Sequence, residues 1–260
     1  ESEDNLKYIS NFTGSAGFAV ILKNKNYMFV DGRYTIQAGI QCGKEFQICN
    51  IPKEYPFTVF KNKKLNLGFD PKLHTQNSIN RLFGNSLIKL QSVNKNLIDV
   101  LWKRKKNSKI KPFYLIKDQD AGSKVKKKLS ELVKIIKFNK ADYSFVTASE
   151  NVAWLLNIRG QDTSYAPLPN SHAIISKDGK VLLFCNSKKI NKSFKNKINK
   201  SIKIYDFNLI QKFFLNLSKK NILTDTSTCS IFYKSIIKKN NSIIEKQDSI
   251  YYLKSLKNKI

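Results

Sequence analysis

The sequence has few of the residues on which metal-dependent or acid-base catalysis usually relies. Its 260 residues include 2 histidines and 19 acidic residues. His74 and His172 are isolated, so neither an HExxH motif nor a three-histidine zinc site can be formed, and each is expected at the surface or at a helix cap. The acidic residues are too widely spread to indicate a two-metal carboxylate site. We therefore expect no metal ligands and no catalytic residues in this chain.

Motifs for nucleophilic catalysis and phosphate binding are also missing. Neither GxGxxG nor GxxxxGK followed by Ser or Thr occurs. The Gly-Ser-Ala-Gly segment at 14–17 lacks the GxSxG spacing of a nucleophile elbow, and it enters a hairpin instead of a strand-to-helix turn. We expect its small residues to permit a tight turn or a close approach of the backbone. Ser15 is therefore not predicted to be a nucleophile.

Long apolar runs and paired cysteines are absent as well. No run approaches the ~20 apolar residues that a membrane span needs, so no membrane partner is predicted. The opening residues show no secretory h-region. The four cysteines form no CxxC pair, and we expect reduced, mostly buried thiols in a cytoplasmic protein. They are Cys42, Cys49, Cys185 and Cys229.

Arginine is scarce although the chain is strongly basic. The formal net charge is +28, yet only four of the 47 basic residues are arginine. Proteins that read bases or clamp phosphates favour the bidentate guanidinium group, and the lysines here are scattered over the whole length. We interpret the lysine excess as a solvated surface and predict no specific nucleic-acid partner.

The first half of the chain predicts alternating strands and helices. Segments 18–22 and 27–30 form a hairpin around a polar loop, and Asp31-Gly32 then turns the chain into a helix from Tyr34 to about Cys42. Further strands are predicted at 46–51, 65–69 and 88–93, with helices beginning near Thr75 and covering 97–102. Residues 103–112 have no apolar period and end in proline, which indicates a linker and a domain boundary near residue 112.

The second half begins with a strongly periodic helix. Its apolar face consists of Val125, Leu129, Leu132, Val133 and Ile136. A strand at 143–147 follows, then a helix that Ser149 is expected to cap and that continues through Asn157, and then a hairpin at 172–185 around Asp178-Gly179. Helix and strand patterns alternate from there to the end.

The two halves share a short sequence pattern. Residues 8–14 and 154–160 both read aromatic, two spacers, Asn, hydrophobic, spacer, Gly, and each segment precedes a hairpin. The pattern suggests a repeat. Because the second half has a helix, a strand and another helix before its Asn, we expect the first domain to lack an opening helix and strand.

Two arginines are candidates for a binding role. Arg33 and Arg159 each follow a hairpin or a helix end within a turn that contains glycine. A guanidinium offers a fixed fork for a carboxylate, whereas a lysine is only a point charge. Either arginine could bind an anion, bind a carboxylate of another domain, or cap backbone carbonyls. The residues themselves leave these alternatives open.

Several segments resemble the Xaa-Pro aminopeptidases, the aminopeptidase P branch of the creatinase and prolidase superfamily. They follow the family's order over nearly the whole chain: YISNFTGSAG, FVDGRYTIQA, LGFDP, NLIDVLW, VTASENVAWLLNIRGQD, HAII and YYLKSLKN. The resemblance implies an α/β fold with two creatinase N-terminal-like domains, each a mixed β-sheet flanked by helices. Domain I would be residues 1–112, truncated at its N-terminus, and domain II residues 113–260.

The resemblance also implies an activity for a longer protein. Three-domain members carry a third, pita-bread domain that holds two metal ions, usually manganese. The full-length protein would be a metallo-aminopeptidase that removes the N-terminal residue of peptides with proline in second position, by attack of a metal-bridged hydroxide. Its partners would be proline-containing peptides, its own catalytic domain and further copies of itself. The 260 residues alone are expected to be inactive.

The resemblance assigns a role to the arginine of the DGRY motif. Arg33 would face the substrate side of the cleft, with Tyr34 and Arg159 as weaker neighbours. A non-catalytic module that binds peptides or histones is the alternative, and metal ligands in the sequence after residue 260 would favour the enzyme. A nucleic-acid-binding function is a third hypothesis, which would require a sequence preference in binding.

Overall fold

The computed structural model describes residues 3–84, 86–102, 110–163 and 165–256. The chain divides into two compact units, Glu1–Lys106 and Asn107–Ile260, which are considered separately. Within the described residues, no helix is both long enough and apolar enough to cross a membrane. Most of the predicted linker, residues 103–109, lies outside the described residues, and the boundary near residue 112 stays a prediction.

The first unit is built on a small mixed sheet. Strand β2 is central: it runs antiparallel to β1 on one side and parallel to β3 on the other. Strands β4 and β5 form a separate parallel pair. The strands are β1 (Gly17–Ile21), β2 (Asn26–Asp31), β3 (Phe46–Ile51), β4 (Asn66–Phe69) and β5 (Lys89–Ser92). The helices are α1 (Glu3–Ser10), α2 (Thr35–Cys42), α3 (Pro56–Val59), α4 (Gln76–Phe83) and α5 (Leu97–Leu101). Each strand and helix predicted for this half is confirmed to within two residues.

Strand β2 divides the core of the first unit into two apolar layers. Met28 and Val30 pack with Phe12, Ala38 and Cys42 on one side of the strand. Tyr27 and Phe29 pack on the other side, in a cluster with Phe60 and Cys49. This division follows from the alternation of side chains along a strand.

The second unit contains a larger mixed sheet. Its order is β11-β10-β9-β7-β12-β13, in which β9 runs antiparallel to both of its neighbours and the other pairs are parallel. Two short strands, β6 and β8, form a separate antiparallel pair. The strands are β6 (Tyr114–Leu115), β7 (Tyr143–Val146), β8 (Ile158–Arg159), β9 (Ser171–Ser176), β10 (Val181–Cys185), β11 (Ile202–Asp206), β12 (Asn221–Thr224) and β13 (Ser242–Glu245).

Helices cover both faces of this sheet. They are α6 (Asp118–Ala121), α7 (Val125–Phe138), α8 (Ser149–Leu156), α9 (Lys192–Lys197), α10 (Leu209–Asn216), α11 (Ile231–Asn240) and α12 (Ser249–Ser255). Val146 faces a cluster that includes Leu132 of α7 and Leu155 of α8. Its neighbour Phe145 faces the opposite cluster, with Phe214 of α10. The predicted α/β class, with mixed sheets flanked by helices, is confirmed.

Three local predictions are corrected by the structure. Ser149 is the first residue of α8, and the cap position is Ala148, which makes no capping hydrogen bond through its side chain. His172 is neither a surface residue nor a cap, because its ring packs edge-on against Phe145, Phe207 and Tyr233. Burial lowers the pKa of His172 to about 4. His74 is half-buried against the ring of Phe69, and its neighbour Thr75 provides the cap of α4.

The predicted burial of the cysteines is confirmed. All four thiols are free and buried. Burial raises the pKa of Cys49 to about 11 and that of Cys185 to about 12. These groups are therefore protonated at neutral pH and are poor nucleophiles or metal ligands.

The repeated sequence pattern corresponds to a repeated backbone feature. Asn11 follows α1 with a φ of 58°, and Asn157 follows α8 with a φ of 53°, both in the left-handed region. Asparagine tolerates this conformation better than most residues because its short polar side chain bonds locally. In each unit the asparagine ends a helix, and a hairpin follows: β1–β2 in the first unit and β9–β10 in the second.

Candidate functional site

A tight turn joins the end of β2 to the start of α2 and carries the DGRY motif. We refer to residues 31–34 as the Arg33 turn. The backbone N–H of Tyr34 donates to the carbonyl oxygen of Asp31 at 3.0 Å. The backbone N–H of Arg33 donates to Oδ1 of the same aspartate at 3.0 Å. Both the main chain and the side chain of Asp31 thus fix the turn, as short polar side chains often do.

The guanidinium of Arg33 is held by the same carboxylate. Nε donates to Oδ1 of Asp31 at 3.1 Å, and Nη2 donates to Oδ2 at 2.7 Å. This pair of bonds lowers the pKa of Asp31 and raises that of Arg33. The side chain of Arg33 is nevertheless 73% exposed. The carboxylate therefore orients the guanidinium without covering it.

Tyr34 supports the flat face of the guanidinium. Cζ of Arg33 lies 5.3 Å from the centroid of the Tyr34 ring, within range of a cation–π contact. The hydroxyl of Tyr34 is 2.7 Å from Oγ of Ser15, and the ring packs edge-on against Phe12. Ser15 thus contributes to the position of Tyr34. The structure brings two of the three candidate residues, Arg33 and Tyr34, into one cluster.

Gly14 is required by the close approach of two aromatic rings. A Cβ at this position would lie 2.3 Å from Phe12 and 2.8 Å from Tyr34. We expect Gly14→Ala to lower the free energy of unfolding by about 1–3 kcal/mol, the usual cost of overpacking, and to displace the Tyr34 ring. The matched control is Gly32→Ala, since the nearest atom to a Cβ there is Asn50 Oδ1 at 3.9 Å. Equal melting temperatures for the two variants would contradict the prediction.

Arg159 belongs to the second unit and engages its backbone. Its Nη1 donates to the carbonyl oxygens of Ala153 at 3.1 Å and of Ile158 at 2.9 Å. Ala153 lies in the last turn of α8, where a cation compensates unpaired carbonyls and the negative end of the helix dipole. These contacts support the capping alternative for Arg159. A role toward substrate stays a prediction for this residue.

The described residues do not fit a metal ion. No group of three or more His, Cys, Asp or Glu side chains is arranged among them in a way that could hold one. The carboxylate of Asp31 at the candidate site is already occupied by Arg33. We therefore assign no metal and no metal-dependent step to this part of the chain.

Two features of the structure were not predicted from the sequence. The partner of Arg33 in the described residues is Asp31, two residues earlier, whereas a carboxylate of another domain was one of the predicted alternatives. The Asp-Gly pair before the arginine could have indicated this contact, because an aspartate side chain in a turn often accepts a hydrogen bond from the backbone N–H two residues later. Lys128 is only 3% exposed. Its position, three residues after Val125 and four before Leu132, already placed it on the apolar face of α7.

Comparison with known proteins identifies both halves of the chain. Residues 1–97 and residues 103–260 each match a family model described as Creatinase/Prolidase N-terminal domain. Aminopeptidase P1 of Lotus japonicus is 28% identical over 92% of this chain and 37% of its own length. Xaa-Pro aminopeptidase 1 of Dictyostelium discoideum is 28% identical over 97% of this chain and 43% of its own length.

A solved structure has the same fold over nearly the whole chain. It is the X-prolyl aminopeptidase from Caenorhabditis elegans, described as a cytosolic enzyme with a di-nuclear active site. The TM-score is 0.84 and the identity 24%, over 98% of this chain and 44% of that protein. The chain thus spans less than half the length of these relatives, and it resembles the N-terminal region of Xaa-Pro aminopeptidases. With both of its halves matched by the family models, the chain belongs to the creatinase/prolidase N-terminal domain family.

Proposed function

We propose that this chain is the non-catalytic N-terminal portion of a Xaa-Pro aminopeptidase. The full-length protein would remove the N-terminal residue of peptides that have proline in second position. Support comes from relatives that bear the names aminopeptidase P1 and Xaa-Pro aminopeptidase 1 and that match 92% and 97% of the chain. The role of these residues would be to bind and admit the peptide, while bond cleavage takes place on a downstream domain.

The observation that carries the proposal is the orientation of Arg33. The guanidinium is held from one edge by Asp31 and supported on one face by Tyr34, yet it remains largely exposed. A rigidly held, accessible donor group is suited to bind an oxygen atom of a peptide. Arg33 and Tyr34 would therefore contact the substrate, and Arg159 would have a lesser role.

Further partners of the full-length protein follow from the same proposal. By analogy with the di-nuclear enzyme of C. elegans, two divalent ions, manganese in our proposal, would be bound by residues outside this chain. When present, they would supply the activated water for peptide hydrolysis. The chain would pack against its own catalytic domain, in a cytoplasmic homo-oligomer.

The decisive variant is Arg33→Ala in the full-length protein. We expect kcat/KM for a Xaa-Pro peptide to fall by about tenfold to a hundredfold, because a hydrogen bond from a charged donor contributes about 1.5–3 kcal/mol. Metal content and melting temperature should stay nearly unchanged, since the side chain is exposed. Steady-state kinetics, metal analysis and thermal unfolding on the same preparations test this.

Arg81→Ala is the matched control. Arg81 is an exposed arginine of α4 in the same unit, so its removal changes the net charge equally and should leave the kinetics unaltered. Loss of stability with unaltered kinetics in Arg33→Ala would make Arg33 structural. Peptide binding that depends on Arg33, without turnover in a metal-loaded full-length protein, would favour the alternative of a peptide- or histone-binding module.

A further inference from the structure

We propose that Asp31 determines which chemical group of a peptide Arg33 recognises. By compensating the charge of the guanidinium, Asp31 makes Arg33 a donor to a neutral backbone carbonyl rather than a receptor for the C-terminal carboxylate. Substrates would then be peptides with either a free or an amidated C-terminus. The inference rests on the proposed function, in which Arg33 contacts the peptide, and assigns Asp31 as a positioning and selectivity residue.

The hydrogen bonds of Arg33 leave one edge of the guanidinium available. Nε and one hydrogen of Nη2 are directed at the two oxygens of Asp31. A guanidinium has five N–H donors, so both hydrogens of Nη1 and the second hydrogen of Nη2 point away from Asp31. Because the side chain is exposed, these remaining donors can reach a ligand.

The charge of the cluster disfavours an anionic ligand. Asp31 and Arg33 together have a net charge of zero, and the pKa of Asp31 is lowered by its bond to Arg33, so the carboxylate remains ionised at neutral pH. A substrate carboxylate on the free edge of the guanidinium would lie closer to Arg33 than to Asp31, but the repulsion from Asp31 would cancel about half of the attraction. A carbonyl oxygen gains the hydrogen bonds without this repulsion.

Asp31 is also held in place against a competing carboxylate, because its side chain is hydrogen-bonded to the backbone of the turn. Oδ1 accepts the N–H of Arg33 at 3.0 Å, and the carbonyl oxygen of Asp31 accepts the N–H of Tyr34 at 3.0 Å. Displacing the carboxylate would break the first of these bonds together with both bonds to the guanidinium. The neutral pair is therefore the form that the substrate meets.

The test compares a peptide acid with its amide in the full-length, metal-loaded protein. The probes are one Xaa-Pro-Xaa tripeptide in both forms, and the same pair with a reduced, uncleavable first peptide bond as competitive inhibitors. We expect the acid and the amide to differ by less than about threefold in kcat/KM and in inhibition constant. The variant Asp31→Asn keeps a side-chain oxygen that can accept the backbone N–H, but it no longer compensates the charge of Arg33. In this variant, kcat/KM for the acid should exceed that for the amide by about tenfold.

The preference created by Asp31→Asn should weaken as salt is added, because it arises from an exposed charge. If the substitution acted only on the structure, kcat/KM would fall equally for the acid and the amide, and the ratio of the two values would not change. A wild-type protein that prefers the acid tenfold or more would overturn the inference, as would an unchanged ratio in Asp31→Asn while Arg33→Ala still weakens both forms. If Arg33→Ala affects neither form, the proposed role of Arg33 in substrate binding fails together with the inference.

Discussion

Replacing Phe145 by alanine is expected to lower the free energy of unfolding by about 3–5 kcal/mol, the range for a large aromatic side chain removed from a core. Phe145 lies in β7 and is 2% exposed. Its ring packs edge-on against Phe214 at 5.0 Å and against Tyr233 at 5.5 Å, between centroids. Removing it would leave a cavity between the sheet and α10 and α11, which a shift of these elements could fill only in part. Urea unfolding followed by circular dichroism measures the loss.

Phe138→Ala is the control for this prediction. Phe138 is the last residue of α7 and is 85% exposed, so its removal should change the stability by less than about 0.5 kcal/mol. Because the chain has two compact units, the change should appear in the transition of the second unit alone. A similar loss in both variants would show that the aromatic cluster around Phe145 is not the stabilising feature described.

Most of the strands and helices could be predicted, because they depend on patterns of apolar, polar and turn-forming residues within short stretches of sequence. Strand β3 lies at residues 46–51, as predicted, and the β1–β2 hairpin follows from two apolar arms around a polar loop. The turn of the β9–β10 hairpin contains Asp178-Gly179, as the sequence indicated, with the N–H of Gly179 bonded to the carbonyl of Ser176. These features depend on neighbours within a few residues, which the sequence shows directly.

Contacts between distant residues account for the errors. His172 was expected at the surface or at a helix cap. The strand order of the sheet instead brings it next to Phe207, which directly follows β11, and next to Tyr233 of α11. Ser149 has the right residue type for a cap, yet its hydroxyl donates instead to the carbonyl of Ser171, at 3.4 Å. Neither packing partner lies near enough in sequence to leave a local signal.

The candidate site was predictable only in part, for a related reason. The resemblance pointed to Arg33 and Tyr34, which the structure places side by side. The role of Asp31 depends on side-chain geometry within the turn, and that of Ser15 depends on the approach of a segment 19 residues away. Arg159 and Arg33 have similar sequence contexts. Arg159, however, donates a hydrogen bond to a backbone carbonyl in the last turn of α8, and the sequence does not show this contact.

Lys128 should make the stability of the second unit rise between about pH 8 and pH 10.5. Its Nζ donates to the carbonyl of Trp154 and to Oδ1 of Asn157, both at 2.5 Å, and lies 4.4 Å from the centre of the Trp154 ring. Burial, followed by the positive charge of Arg159, lowers the pKa of Lys128 from 10.5 to about 8, and Asp118 opposes the shift. Folding therefore has to accommodate a buried ammonium at neutral pH.

The sign and size of the effect follow from proton binding. Between the folded pKa and the unfolded pKa, the unfolded chain binds more protons, so stability increases with pH. A shift of this size corresponds to about 3 kcal/mol over the window. Below pH 8 both states hold the proton, and the slope due to Lys128 disappears.

Lys128→Met isolates this contribution, because methionine retains an apolar stem and cannot ionise. The stability of the wild-type protein relative to this variant should increase by about 3 kcal/mol from pH 8 to pH 10.5, whatever the offset at neutral pH from the lost hydrogen bonds. Lys126→Met, at an exposed position of the same helix, should keep a constant difference from wild type. Urea unfolding at several pH values measures both differences. If the Lys128→Met difference is also constant, the two acceptor oxygens and the Trp154 ring compensate the burial of the ammonium fully, and Lys128 is charged in the core at no cost to folding.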